Sequence, residues 1–400
     1  MTILLLVLRS LRQHALSTSA TALAIALAGG LLLSVWVVKT QSQATFTQIN
    51  TGFDAVLGAR GSKLQLVLNA LFHLEASPGN VAQADYLFIK SHPAVKRAIP
   101  IAVGDNLRGF RIVGTDPELF TEVEYAPGEK FVFSTGRLWQ GEAKEAVLGS
   151  FAAQKLGLKV GDIFHPFHGL IYDEKNQHAE TYIVTGLLAP TNTPVDKVVW
   201  IPLHGLQTMS GHDPNTATDV SAVLIQLRAP AAGFMLDLMY NRQGNRLTFA
   251  YPIAAIMGDL FAKIGWFDRV LALVAYLVAL VSAVGVLVAI YNSMVARQRD
   301  LAILRALGAR RRTLFSAVVL EATAIGIIGM IAAFAVYAVV ASVVAAIIRS
   351  ETGVVINPWI THPVMLWAPL GMVSLCALSG LVPAWKAYQT DIAGNLAPSS

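Results

Sequence analysis

Arg297-Gln-Arg-Asp-Leu-Ala-Ile-Leu-Arg-Ala-Leu-Gly308 is a short charged segment set between two long apolar runs, and its reading decides the architecture. Leu301, Leu304 and Leu307 recur at every third position and Ile303 widens the stripe, the spacing of one face of a helix. Arg299, Asp300 and Arg305 fall elsewhere on the same wheel, and Gly308 stands where a helix stops. Arg310, Arg311 and Arg312 then open the next apolar run. A basic amphipathic helix pinned between two membrane spans is suited to receive a push from a partner at the inner surface.

The rest of the chain fits that setting. Of 400 residues, 54% are hydrophobic and only 14% are charged, where a soluble domain carries about 25% charged residues. Mean hydropathy is +0.55. The formal charge of +5 resides largely in arginines beside apolar runs, an arrangement that speaks against nucleic-acid binding. The single cysteine, Cys376, lies inside an apolar run, so no intramolecular disulfide forms.

Four runs have the roughly 20 residues that crossing a bilayer requires. They divide the chain into an amphipathic N-terminal helix (1–18), a first span (19–38), a large extracytoplasmic domain (39–266), a second span (267–292), the charged segment (293–313), a third span (314–348), a short loop (349–363), a fourth span (364–386) and a tail (387–400). Arg9 and Arg12 precede the first span, the arginines cluster between the second and third, and Lys386 follows the fourth. The positive-inside rule therefore predicts both termini and the charged segment to be cytoplasmic and the large domain to lie outside. The first run reads as a span rather than a cleaved leader, because its removal would break this even topology. The third run is too long for one span. As a single helix it measures about 50 Å against a hydrocarbon core of roughly 30 Å. It must tilt, break near Gly326 or Gly329, or project.

Small residues recur at a spacing of four in the spans: Ala20, Ala24 and Ala28; Ala275, Ala279 and Ala283; Ala322 with Gly326, and Gly329 with Ala333. This spacing lets helix backbones approach closely in lipid. In the large domain, Phe131–Phe133, Ala146–Leu148, Tyr182–Val184, Val198–Ile201 and Ala222–Ile225 read as short strands. Helices are predicted over Phe151–Leu158, Phe234–Tyr240 and Ile253–Gly265. The fold class is thus an α-helical membrane protein of four transmembrane helices, with an α+β extracytoplasmic domain inserted between the first and second.

Few motifs suggest chemistry. Gly58-Ala-Arg-Gly-Ser-Lys63 misses the G-x-x-x-x-G-K-[ST] spacing of a phosphate loop and reads as a turn after a strand. His165-Pro-Phe-His168, with His178 nearby, lacks the spacing of a known metal site and reads as surface histidines, so no metal is expected. No catalytic constellation stands out. Glu321, an acid within the third span, needs a partner: either the nearby arginines, as a switch, or a static ion pair or hydrogen bond that fixes packing.

Arg299-Asp-Leu-Ala-Ile-Leu-Arg-Ala-Leu-Gly-Ala-Arg310, followed by Leu320-Glu321 and a glycine-containing span, resembles the FtsX-like permease domain of MacB/LolC/LolE-type (type VII) ABC transporters. Gly380-Leu-Val-Pro-Ala-Trp-Lys-Ala387 resembles the exit of that family's last span. Arg111-Ile-Val-Gly-Thr-Asp-Pro117, and Ala146-Val-Leu-Gly with Leu156-Gly-Leu-Lys-Val-Gly-Asp162, are similar to the MacB-like periplasmic core domain. The resemblance implies a non-catalytic permease in a bacterial inner membrane, acting as a dimer with an identical or paralogous permease. It implies that a partner ABC ATPase holds ATP and Mg, that this chain binds no cofactor, and that membrane lipid and a periplasmic adaptor or lipoprotein are further partners. ATP hydrolysis would be relayed outward (mechanotransmission) to act on a lipoprotein, lipid, peptide or similar amphiphile. The alternative within the resemblance is an FtsX-like scaffold that regulates a peptidoglycan hydrolase. By position, Arg299, Asp300, Leu301, Ile303, Leu304, Arg305, Leu307 and Gly308 would form the ATPase-coupling helix. Asp300 and Ala302 stand where the family usually has Glu and Gly, and Asp391-Ile392 stands where a proline is common.

Overall fold

The computed structural model describes residues 3–48, 52–141, 144–209, 218–296, 303, 306, 308–357, 359 and 361–389. The chain forms two compact units. A sheet-based unit comprises Ser42–Lys263 and Ala346–Ile356, and a helical unit comprises Met1–Gln41, Ile264–Ala345 and Asn357–Ser400.

The strands of the sheet-based unit are β1 (Ala55–Ala59), β2 (Val95–Leu107), β3 (Phe110–Thr115), β4 (Glu124–Ala126), β5 (Glu129–Lys130), β6 (Phe133–Gly136), β7 (Glu145–Leu148), β8 (Ile163–Phe164), β9 (Phe167–His168), β10 (Tyr182–Leu188), β11 (Val199–Pro202), β12 (Ala222–Leu227) and β13 (Leu247–Ala250). The main sheet runs β13-β1-β12-β2-β3-β11-β7-β10-β6, with β8 added on β10 and β9 on β2, and β4 pairs with β5 apart from it. The pairs β11–β3 and β10–β7 are parallel, so the sheet is mixed. Its centre is the β2–β3 hairpin. Arg108 (φ +48°) and Gly109 (φ +88°) make its two-residue turn, the left-handed pair that matches strand twist. The Asn106 side chain accepts the Gly109 N–H at 3.1 Å and closes that turn.

One face of the sheet holds an aromatic core. Phe120 meets Phe131, Trp139 and Trp200 edge-on, with ring centroids 5.4–5.6 Å apart, the preferred geometry of quadrupolar rings. Trp200, a fully buried indole, donates to the Val195 carbonyl at 3.2 Å. A second core gathers Leu57, Ile225, Phe249 and Leu236. Burying a side chain of this size contributes about 2–3 kcal/mol.

The anticipated strand at Phe131 begins instead at Phe133, because Phe131 is drawn into the aromatic core. The helix anticipated from Phe151 runs Ser150–Leu156 and ends on Gly157, which takes φ +70° as glycine does without Cβ strain. The stretch anticipated as Phe234–Tyr240 is helical over Pro230–Leu238 and continues as a wider π turn over Met239–Gln243. Gly58–Lys63 is the end of β1 and a turn, after which Ser62 caps the helix Lys63–Ala70.

Among the described residues, four helices are long and apolar enough to cross a membrane. A short helix, Ile3–Gln13, precedes the first long helix, Ala15–Gln48. The second long helix is Ile253–Ala296 and the third is Arg311–Thr352, of 42 residues. The third stays helical through Gly326 and Gly329 for a length of about 63 Å. Of the three outcomes anticipated for this run, a break does not occur. Its last residues, from Ala346, belong to the sheet-based unit. The fourth run is Val364–Ser379 followed by Leu381–Gln389. The Gly380 N–H still reaches the Cys376 carbonyl (3.1 Å) and Ala384 reaches Gly380 (3.0 Å). The irregularity between these two helices coincides with Pro383, which has no N–H to give.

Candidate functional site

Most of the charged segment, including Arg299, Asp300, Leu301, Leu304, Arg305 and Leu307, lies outside the described residues. Ile303 and Ala306 are helical and exposed. Gly308 takes φ +97° and is exposed, the conformation of a helix stop. The third long helix then opens, with the Arg310 carbonyl accepting from Thr313 at 2.9 Å. Near this end of the helical unit, the Arg311 guanidinium sits 5.6 Å from the Tyr388 ring centre. Lys386 lies 4.4 Å from the Tyr291 ring and donates to its hydroxyl. Such cation–π contacts contribute about 0.5–1 kcal/mol each at exposed sites. They tie the fourth run to the start of the third and the end of the second, and no local sequence pattern announces them.

The helices above this segment approach one another through small residues. A Cβ added at Gly329 would lie 2.6 Å from Ile25 and 3.1 Å from the Ala22 carbonyl, and one at Gly326 would lie 2.9 Å from Cys376. Ala283 is buried and Ala279 packs beside the same core, while the side chain of Ala275 lies outside the described residues. Sequence reading missed Gly29 and Gly30. A Cβ on Gly30 would meet Val336 at 2.6 Å, and one on Gly29 would meet the Met330 sulfur at 2.7 Å. The adjacent run Ala28-Gly29-Gly30 was the available signal. Half-buried Glu321 accepts a hydrogen bond from Ser10, a buried hydroxyl on the short N-terminal helix. The structure thus brings the intramembrane acid to Ser10. A largely apolar groove of about 480 Å³ opens in the same unit, lined by residues including Gly29, Trp36, Tyr276, Ala279, His362 and Trp367. That volume is in the range of small-molecule sites.

In the sheet-based unit, the loop after β10 grips the end of the third long helix. Gly353 (φ +77°) stops the helix, its N–H donating to the Arg349 carbonyl at 2.9 Å. The Asn192 side-chain amide then pairs with the Val355 backbone. It accepts the N–H at 2.6 Å and donates to the carbonyl at 3.3 Å. Lys197 donates to the Glu351 carbonyl. Asp196 holds this loop in shape, accepting from the Thr191 N–H (3.0 Å), the Asn192 N–H (2.9 Å) and the Thr191 hydroxyl (2.9 Å). Burial pushes the Asp196 carboxyl above the usual carboxylate range, against the pull of these donors. Beneath the loop, His73 is packed edge-on to Trp200 at 5.7 Å. Burial, aided by the charges of Arg111 and Lys197, pushes the His73 imidazole down to about 3.

The histidines of the sheet-based unit separate into different environments. His165 lies against the Glu180 carbonyl at 3.1 Å. His168 and His178 converge instead on Asp105 of β2, with ligand atoms all within 4.8 Å of one another. Asp105 is fully buried. This is a cluster with the chemistry of a metal site: sequence reading set His168 beside His178 as surface histidines, whereas His178 is buried and Asp105, 63 positions before His168, was not joined to them.

Comparison with known proteins gives two family matches. Residues 15–233 match the MacB-like periplasmic core domain, and residues 272–392 match the FtsX-like permease C-terminal family. The periplasmic region of MacB from Actinobacillus actinomycetemcomitans is similar at 11% identity and a TM-score of 0.35, over 54% of this chain and 94% of that one. No curated protein matches.

Proposed function

Because the chain belongs to the family of permeases that join a MacB-like periplasmic core domain to an FtsX-like permease C-terminal domain, we propose that it is the membrane subunit of an ABC transporter driven by a separate ATPase, with both termini on the cytoplasmic side of a bacterial inner membrane. The chain performs no hydrolysis. Nucleotide-driven movement of the ATPase pushes the helix around Leu301, Leu304 and Leu307, and the long helices carry the displacement outward. The observation that carries this reading is helix continuity. Ile253–Ala296 and Arg311–Thr352, of 44 and 42 residues, are each unbroken, so each is about twice the roughly 30 Å thickness of the hydrocarbon core. An unbroken helix transmits a push that a hinged one would absorb. Ile253 and Met257, in the first turns of the second long helix, are buried in the core of the sheet-based unit. Val354 and Ile356, just beyond the third, are buried as well.

The cargo class that fits best is an amphiphile reached from the outer leaflet, such as a lipoprotein or lipid. The apolar groove beside Trp36, Tyr276 and Trp367 supports this reading. A conventional water-filled pore is disfavoured, because the spans carry no row of polar side chains. The test is co-purification of the full chain with a co-expressed ABC ATPase. Substituting Leu301, Leu304 and Leu307 together by Asp is expected to abolish capture of the ATPase while the permease still inserts. Undiminished capture would overturn the interface.

A further inference from the structure

We propose that Asp105, His168 and His178 form a site for one divalent transition-metal ion of the zinc class, which staples the segment after β9 to the centre of the sheet. The inference is independent of the transport reading. The Asp105 Oδ1 lies 3.1 Å from the His178 Nε2 and 3.3 Å from the His168 Nδ1. In a tetrahedral zinc site with bonds of about 2.0–2.1 Å, neighbouring donors stand about 3.3 Å apart. Two edges of the tetrahedron are therefore already at the separation an ion requires. The two imidazole planes are inclined at 81°, with centroids 5.3 Å apart, so the rings approach a shared point from different directions.

The fold holds each donor in place. Asp105 and His168 are register partners in the antiparallel pair β2–β9, which sets their side chains on one face at close range. The His178 N–H donates to the Pro166 carbonyl at 2.9 Å, and Phe167 bridges to Gln177. The Gly169 N–H reaches the Gly104 carbonyl at 2.9 Å. Asn106, next to the carboxylate in β2, gives its amide to the Gly169 carbonyl at 2.8 Å. The donors are thus fixed by backbone hydrogen bonds before any ion arrives, the preorganisation a tight site needs.

The donor set selects the ion. Two imidazoles and a carboxylate suit zinc, iron, cobalt or nickel, whereas calcium and magnesium seek shells of oxygen. Taking a carboxylate fully out of water costs several kcal/mol unless a cation offsets it, and the Asp105 side chain is 0% exposed. The His168 side chain is 53% exposed, so a fourth position on its side is open to water. An ion here would clamp the stretch between His168 and His178, which presents Ile171 at 85% exposure and Tyr172 at 39%.

The experiment uses the tag-free full chain in detergent, stripped with chelator and then equilibrated with zinc. Wild type is expected to retain one zinc per chain after gel filtration. His168→Ala, a substitution at an exposed side chain that should leave the fold intact, is expected to weaken zinc binding beyond the about 10- to 100-fold typical of losing an outer-shell partner. His165→Ala is expected to bind as wild type does. Cobalt gives a second readout: wild type should develop the strong visible bands of tetrahedral cobalt, and His168→Ala should lack them. Less than stoichiometric zinc on wild type, or equal zinc affinity in wild type and His168→Ala, would overturn the proposal and leave Asp105 as an ordinary histidine-bonded carboxylate.

Discussion

Asn192 fastens the end of the third long helix by two hydrogen bonds to one residue, and removing its side chain tests whether that grip is mechanical. Asn192 takes φ +58°, so Asn192→Gly keeps the backbone unstrained and deletes only the amide. Both bonds to Val355 disappear, one of 2.6 Å and one of 3.3 Å. Each is worth about 0.5–1.5 kcal/mol net. Because Asn192 is exposed, the pair together contributes about 1–2 kcal/mol. At 1.4 kcal/mol per factor of ten, local opening around Val355 should become about 5- to 30-fold more frequent. Hydrogen exchange of the full chain, followed by mass spectrometry over 350–357, reads this directly. The peptide covering Lys63–Ala70 should be unchanged and serves as the internal reference. Asn192→Asp keeps an acceptor for the Val355 N–H and should fall between wild type and the glycine variant. If exchange at 350–357 is the same in wild type and Asn192→Gly, the pairing does not hold the helix end and the reasoning fails.

Three further outcomes follow from the geometry. Ser10→Ala removes a donor to a half-buried carboxylate, and should destabilise the chain by about 1–2 kcal/mol; thermal unfolding in nanodiscs, with a Ser10→Ala/Glu321→Gln cycle, measures the interaction. His73 has its imidazole lowered to about 3 from the ordinary value of 6.5, so between those values the unfolded chain binds the extra proton, and stability is lost as pH falls through that window by up to about 1.4 kcal/mol per pH unit. His73→Asn, which tolerates the left-handed backbone at this position, should flatten the slope of unfolding temperature against pH between 6.5 and 4.5, whatever it does to stability at pH 7. Gly149→Ala would place a Cβ 2.4 Å from the carbonyl oxygens of Val195 and Asp196, a backbone collision costing about 3 kcal/mol or more; Gly371→Ala, with nothing within 4 Å, should accumulate normally in the same expression assay.

What could be read from the sequence was what a local pattern encodes. Apolar runs announced the long helices, and Gly157, at the end of the short helix Ser150–Leu156, and Gly308, after the charged segment, were legible as stops because a left-handed residue without Cβ is a local need. The β2–β3 hairpin at the centre of the sheet went unread. Its first strand carries Pro100 and Gly104, and its register shifts between Val103 and Asp105, so the two-residue alternation that signals a strand is broken midway. Gly326 and Gly329 were considered as breaks, yet each is backed by a neighbouring helix. There the missing Cβ serves close approach rather than bending. The remaining features are long-range. Asp105 and His178 are 73 positions apart, and Asn192 and Val355 are 163 apart. No window of sequence contains such a pair, and only the tertiary fold brings them together.

The glycine contacts within the membrane helices carry a mechanical consequence. Gly29, Gly30 and Gly329 let the first long helix and the third approach until a side chain of one rests on bare backbone of the other, and Gly326 and Gly380 do the same between the third and the fourth run. Contacts this close leave no room for an added methyl group, so these three pack as one block. The second long helix joins that block through Ala283, Val286 and Ile290, which bring side chains and no glycine to the contact. It is held to that block by side-chain packing and, at its end, by the Tyr291–Lys386 contact, and not by glycine against the neighbouring helix.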